Sequence, residues 1–217
     1  MMKKIRFGVG GVLMIAAMLV SDSLRVAGVY AIAAILHEMG HLLAARVLRI
    51  KIKEIKLGFS GVRIVTDERL TSYGSEIILA VAGPLANAVA FVASLCCFQP
   101  YGGLGGMWQA TERFISGGEG ELWGAVGFFA LSSVVQAAIN LLPVESFDGG
   151  RIIYCITARL INEAFAARIL SVTTALSSFI LWTVALYLML RVSAGLGIYV
   201  FAACIFAGTI GTREGIR

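Results

Sequence analysis

Long apolar runs separated by short polar connections constrain the fold of this chain more than any other feature of its sequence. Hydrophobic residues make up 59% of the 217 positions, charged residues make up 14%, and the mean hydropathy is +0.87. A soluble domain of this length does not normally have such a composition. Because a helix needs about 20 apolar residues to cross the hydrocarbon core, the sequence predicts an all-α polytopic membrane protein.

Six runs are candidate membrane spans. They extend over Phe7 to Val20, Val26 to Leu48, about Ile77 to Phe98, Leu122 to Leu142, about Leu170 to Leu190, and about Val192 to Ile210. The first run follows three basic residues but lacks a convincing small-x-small cleavage site, so we interpret it as a short retained span and not as a signal peptide. We expect residues 1–217 to form one integral membrane domain without a further regulatory domain.

The basic residues predict how the chain is oriented. With the N-terminus in the cytoplasm, fifteen of the eighteen basic residues lie inside, and only Arg25, Arg113 and Arg191 lie outside. Cytoplasmic connections are enriched in Lys and Arg, so we predict six spans in the cell membrane with both termini in the cytoplasm. Membrane topology therefore explains the net charge of +5, and no nucleic-acid partner is expected.

The second run contains both histidines of the sequence, in the pentapeptide HEMGH at residues 37–41. Residues four apart on a helix lie on one face about 6 Å apart along the axis, so His37 and His41 can reach one ion. His-Glu-x-x-His is the pattern of zinc hydrolases, in which the glutamate, here Glu38, acts as general base. The alternative is a pair of buried core histidines, but ionisable groups at bilayer depth are costly and usually functional. The motif predicts one Zn²⁺ per chain, within the membrane toward the cytoplasm.

The end of the fourth run offers a third metal ligand. There the sequence reads NLLPVESFDGG, residues 140–150, and we predict Asp148 as the ligand, with Glu145 and Glu76 as weaker candidates. An ordinary Asp-Gly turn at the membrane surface is the alternative. Two imidazoles, one carboxylate and an open position for water are typical of catalytic zinc. The four cysteines have neither a disulfide spacing nor a Cys-x-x-Cys zinc pattern.

The stretch from Ile50 to Val65, between the second and third runs, alternates apolar and polar residues around Gly58 and Gly61. This alternation predicts a short membrane-associated β-hairpin, and a basic juxtamembrane segment that binds anionic lipid is equally consistent with it. The strand edge of such a hairpin can accept a membrane-protein substrate as an added strand. The outer connection, Gln99 to Glu121, is glycine-rich and too short for a folded domain.

Three motifs together resemble the signatures of the site-2 proteases, which are intramembrane zinc metalloproteases. They are HEMGH at 37–41, AGPLAN at 82–87 and NLLPVESFDGG at 140–150. The resemblance implies the zinc ligands His37, His41 and Asp148, and it implies Glu38 as the catalytic base. It also implies that Asn140, with Pro143, lies near the substrate or the transition state. The second motif, with Gly83, Pro84 and Asn87, is expected to pack against the helix of the first.

Within that family, the short hairpin and compact core most resemble the sporulation branch, the factor IVFB-like proteins that release a sigma factor from a membrane-bound precursor. The resemblance implies regulated intramembrane proteolysis, with a membrane-protein substrate, the lipid bilayer and a possible membrane regulatory protein as partners. FDGG stands here in place of the commoner LDG, and neither an inserted PDZ domain nor a C-terminal cystathionine-synthase-like domain is expected.

Two other functions fit parts of the sequence. A metal transporter can use histidines and an aspartate at mid-depth, but repeated broken helices or a second site would be expected, and the sequence shows one site. A catalytically inactive metal-binding relative would normally lack the glutamate, and Glu38 is intact.

Overall fold

A computed structural model of the chain describes residues 5–7, 24–50, 52–58, 61–66, 72–117 and 121–192, and most of these are helical. The elements in chain order are β1 (Ile5–Phe7), α1 (Leu24–Val47), β2 (Ile52–Gly58), β3 (Gly61–Thr66), α2 (Tyr73–Phe98), a 3-10 turn (Gln99–Tyr101), α3 (Gly103–Ile115), α4 (Glu121–Asn140), α5 (Asp148–Leu160) and α6 (Glu163–Val192).

Four helices in the described part of the chain, α1, α2, α4 and α6, are long and apolar enough to cross a membrane. They correspond to the predicted second to fifth spans, although α6 begins at Glu163 and not near Leu170. The predicted count of six is not supported. The predicted first and sixth spans lie outside the described residues, except for Phe7, which ends β1, and Val192, which ends α6. The orientation of the termini stays a prediction.

Helix α1 has a buried face that carries small and polar side chains and an exposed face that is apolar. The buried residues recur every four positions and are at most 8% exposed: Ala33, His37, His41 and Ala45. The opposite face exposes Ile32, Ile35, Met39, Leu43 and Val47. Lipid tails match an exposed apolar face, whereas intramembrane polar groups face the protein interior. The burial pattern of α1 is therefore that of a membrane helix with its functional groups turned inward.

Residues 23–44 and 81–140 form one compact unit. In this unit α3 packs closely against α4, because Gly127 has no side chain: a Cβ there would lie 2.5 Å from Oγ1 of Thr111 and 2.9 Å from the carbonyl oxygen of Met107. A small core cluster supports the contact and consists of Phe98, Met107 and Ala130. The glycine-rich connection after α2 therefore contains a helix, Gly103–Ile115, which the sequence did not predict.

The second compact unit comprises residues 1–22, 45–80 and 141–217, as far as they are described. Its sheet has the strand order β1-β2-β3, in which β2 pairs parallel with β1 and antiparallel with β3. The register of the antiparallel pair places Ile55 opposite Ile64. An association of these strands with the membrane surface stays a prediction.

Candidate metal centre

His37 and His41 lie one turn apart on the buried face of α1. Their rings meet edge to face with centroids 4.8 Å apart, and their Nε2 atoms are 3.1 Å apart. Two nitrogens bound at the usual zinc distance in a tetrahedral site are about 3.3 Å apart. The imidazoles therefore already have nearly the separation of two ligands of one ion.

Gly83 of α2 leaves space in front of these two nitrogens. A Cβ at this position would overlap Nε2 of His41 and would lie 2.8 Å from Nε2 of His37. Gly40 of α1 has a similar role, since a Cβ there would overlap the carbonyl oxygen of Ala82 and lie 2.9 Å from the Cβ of Ala86. Small residues thus let the backbones of α1 and α2 approach closely, and the two imidazoles lie directly against the α2 backbone at Gly83.

Asp148, the first residue of α5, offers a third donor atom, and its role as a metal ligand stays a prediction. One ligand atom from each of His37, His41 and Asp148 lies within 4.8 Å of the others. Two neutral imidazoles with one carboxylate are the donors of many catalytic zinc sites, so the group fits that metal chemically.

The backbone around Asp148 is fixed by a tight turn and by two glycines. Within the turn, the amide of Val144 donates to the carbonyl of Leu142 at 2.8 Å. Gly149 and Gly150 are buried against backbone: a Cβ on Gly149 would lie 2.6 Å from the carbonyl oxygen of Leu142, and one on Gly150 would overlap that of Val144. A larger residue at either position would displace the start of α5 and Asp148 with it.

The two weaker ligand candidates, Glu76 and Glu145, do not join the histidines. Glu76 forms an ion pair with Arg151, and Glu145 is exposed, so neither belongs to the donor group. Cys155 is buried, and this burial raises the pKa of its thiol, with Glu76 raising the pKa further. Its sulfur is not among the donor atoms of the group that His37, His41 and Asp148 form.

The other site residues predicted from the sequence are Glu38, Asn140 and Pro143. Glu38 follows His37 on α1 and is partly buried. Asn140 is the last residue of α4 and is also partly buried, and Pro143 lies in the turn before α5. The roles of Glu38 and Asn140 stay predictions.

Asn87 of α2 has a closer relation to the histidines than the sequence indicated. It is fully buried, its Nδ2 lies 3.2 Å from Nδ1 of His37, and the same Nδ2 donates to Oε1 of Gln136 on α4 at 3.1 Å. Packing of Gly83 and Asn87 against the motif helix was expected, but nothing in the sequence pointed to Gln136. The two amides lie far apart along the chain, and only the fold pairs them.

The two histidines lie on a helix that is long and apolar enough to cross a membrane, and the aspartate lies at the start of the short helix α5. Together they are a donor group that could hold a metal ion. Residues 26–184 match the model of peptidase family M50, and the chain belongs to this family. The resemblance to the site-2 proteases is thereby confirmed, and the protein is a multi-pass membrane protein of an intramembrane metalloprotease family.

One solved structure supports the same fold. The chain is similar to a site-2 protease from Methanocaldococcus jannaschii, with 19% sequence identity and a TM-score of 0.60. The match covers 95% of this chain and 89% of that one. No curated protein sequence matches the chain.

Gly83→Ala tests whether the space beside the imidazoles holds the metal. The added methyl group would overlap the metal-facing nitrogens, so we expect bound zinc to fall well below the wild-type amount. Overpacking would also lower the free energy of unfolding by about 1–3 kcal/mol. Zinc content by mass spectrometry and thermal unfolding of the metal-free protein in detergent measure the two effects.

The control is Gly74→Ala on the same helix, where the nearest atom to an added Cβ is Oγ of Ser72 at 3.8 Å. This variant should retain wild-type zinc. Equal zinc in Gly83→Ala and Gly74→Ala would show that the metal does not bind beside Gly83.

Proposed function

We propose that this protein is a zinc-dependent intramembrane endopeptidase that hydrolyses a peptide bond in or near a transmembrane segment of a membrane-bound substrate. The observation that carries the proposal is the convergence of donor atoms from His37, His41 and Asp148 within 4.8 Å. Membership of peptidase family M50 supports it. We place the site within the membrane, toward the cytoplasmic side.

In this proposal the three ligands hold one zinc ion, and Glu38 moves the protons. The bound metal would supply a Lewis acid that acidifies a water molecule and polarises the scissile carbonyl. The Glu38 carboxylate takes a proton from the attacking water and returns it to the nitrogen of the leaving amine. Water and one peptide bond are consumed, and a carboxylate and an amine are formed.

Asn140 is proposed to bind the substrate at the reacting carbonyl. Its side-chain amide can donate a hydrogen bond to the carbonyl oxygen as negative charge develops there, a contact that stabilises the transition state more than the ground state. The alternative role is an interhelical hydrogen bond, which would affect folding and not the chemical step.

Substrate docking is proposed along β3. A peptide bond in a helical span is shielded by its own hydrogen bonds, so the segment must unwind, and its freed backbone groups need partners in lipid. An added strand provides them. Since β2 is the central strand, of the 50–65 stretch only β3 has an unpaired edge in the described sheet.

The biological setting that we propose is regulated intramembrane proteolysis, with a substrate of the kind cleaved by the sporulation branch, a membrane-bound sigma-factor precursor or regulator. The basis is the resemblance of the short hairpin and the compact core to that branch, which no comparison confirms. A membrane regulatory protein is a possible further partner.

Glu38→Gln, His41→Ala and Asp148→Ala separate metal binding from chemistry. The purified wild-type protein should hold about one zinc per chain, and the two ligand variants should hold much less. Glu38→Gln should keep the metal and lower the cleavage of a co-expressed membrane substrate by about 10²–10⁴-fold, because only the proton transfer is lost.

Two results would contradict these assignments. Unchanged zinc in Asp148→Ala would remove that residue as third ligand. Transport of zinc into vesicles by Glu38→Gln would instead show a metal transporter.

Asn140→Ala tests the transition-state contact. If its amide donates to the developing oxyanion, kcat should fall by about 10²–10³-fold, whereas KM changes little. Steady-state kinetics with a detergent-solubilised substrate would measure both constants. A lower yield of folded protein with unchanged kcat would assign Asn140 to packing.

A proline scan of β3 tests substrate docking. Backbone N–H groups alternate between the two edges of a strand, so Val62 and Ile64 donate to one edge and Arg63 and Val65 to the other. Proline removes the donor. We expect one alternate pair of prolines to abolish cleavage with zinc content and stability intact, and the other pair to destabilise the sheet by breaking its pairing with β2.

Crosslinking of the substrate to β3 through engineered pairs of cysteines, one on each chain, provides a second test of docking. If all four prolines leave cleavage unchanged, or no cysteine pair crosslinks, the substrate docks elsewhere.

A further inference from the structure

Asn87 connects three helices of one compact unit and contacts His37 at Nδ1, the ring nitrogen that does not face His41. Its side chain lies on α2 and contacts His37 on α1 and Gln136 on α4 through a single terminal atom, at 3.2 Å and 3.1 Å. The residue is 0% exposed. Both neighbours of this buried amide therefore meet the same terminal atom, and the hydrogen bonds that the amide makes depend on which of its two terminal atoms faces them.

The chemistry of metal binding decides which atom of Asn87 faces His37. If His37 binds zinc through Nε2, which faces Nε2 of His41 at 3.1 Å, its other nitrogen, Nδ1, carries the proton and is a donor. A donor requires an acceptor, and of the two terminal atoms of Asn87 only Oδ1 is one. The metal-bound state therefore needs the carbonyl of Asn87 toward Nδ1.

A rotation of the amide by 180° supplies that acceptor without any displacement of the helices. The oxygen and nitrogen of a carboxamide exchange places in such a rotation. In the orientation with Nδ2 toward His37, Oδ1 is buried without a hydrogen-bond partner, so the rotation breaks no bond to Oδ1. Gln136 carries both a donor and an acceptor, and its own amide can turn to donate to the carbonyl of Asn87.

We infer that Asn87 is a positioning residue of the metal centre: its side-chain carbonyl accepts the Nδ1 proton of His37 and so holds the tautomer that presents Nε2 to the metal. Gln136 keeps the Asn87 amide in place. The inference rests on the proposed zinc site. Outer partners of metal-binding histidines typically change metal affinity by about 10–100-fold when they are removed.

Three variants separate positioning from packing. Asn87→Leu keeps the branched shape of the side chain but has bulkier methyl groups and no acceptor, and its zinc affinity, measured by competition with a chelator, should fall by about 10–100-fold. Asn87→Asp keeps an acceptor and cannot donate, so it should bind zinc at least as tightly as the wild type. Ser94→Ala is the control, because Ser94 is a buried polar residue two turns further along α2, and its loss should leave zinc affinity unchanged.

The tautomer can be observed directly, because the chain contains only two histidines. In the zinc-loaded full-length protein with ¹⁵N-labelled imidazoles, the His37 ring should show a protonated Nδ1 in the wild type and in Asn87→Asp. In Asn87→Leu the signal of that hydrogen-bonded proton should be lost or shifted. Thermal unfolding of the metal-free proteins reports packing separately.

Each outcome supports or overturns the inference. Wild-type zinc affinity in Asn87→Leu, with only its metal-free stability lowered, would make Asn87 a packing residue, and weaker binding by Asn87→Asp would show that the amide donates to His37. Either result leaves the proposed zinc site standing. A wild-type chain that binds no zinc overturns the zinc site and the inference together.

Discussion

The close approach of α1 and α2 is the contact on which the metal centre depends. Lipid tails are as apolar as the helices, so no hydrophobic force drives two spans together, and their association relies on packing and polar contacts. Gly40 against Ala82, and Gly83 against the imidazoles, allow the two backbones to approach. The same approach brings Asn87 within 3.2 Å of His37. Small side chains on two helices thus determine how closely α2 approaches the histidines and allow the contact between Asn87 and His37.

Features that depend on neighbouring residues could be predicted from the sequence. The four spans in the described part follow from apolar runs, and the shared face of His37 and His41 follows from their spacing on a helix. Asp148 was predicted as a ligand from its place in a polar cluster at the end of a span; a carboxylate oxygen of Asp148 lies within 4.8 Å of the histidine ligand atoms, and its role as a ligand stays a prediction. The spans and the shared histidine face could be predicted because helix periodicity and bilayer thickness act over a few turns of one segment.

Contacts between distant segments could not be predicted in this way. Helix α3 lies in a glycine-rich connection, and it is held by close packing of Thr111 and Met107 on Gly127 of the next helix. The bond from Asn87 to Gln136 joins residues on different spans, and β1 pairs with a strand that follows an entire membrane helix. Each of these contacts depends on the tertiary arrangement of distant segments, which the residue types alone do not specify.

The polar face of α1 has a consequence for the biosynthesis of the protein. Among the four spans α1 has the lowest mean hydropathy, 1.4 against 2.0 for α2, because it carries two histidines and a glutamate. An acidic or basic side chain at the centre of an inserted helix costs about 2.5–3.5 kcal/mol on insertion scales. Until α2 has emerged from the ribosome, the two histidines lack the helix that covers them in the folded protein. The polar groups of the candidate metal centre therefore make α1 a weak membrane anchor by itself, and the helix synthesised after it stabilises its insertion.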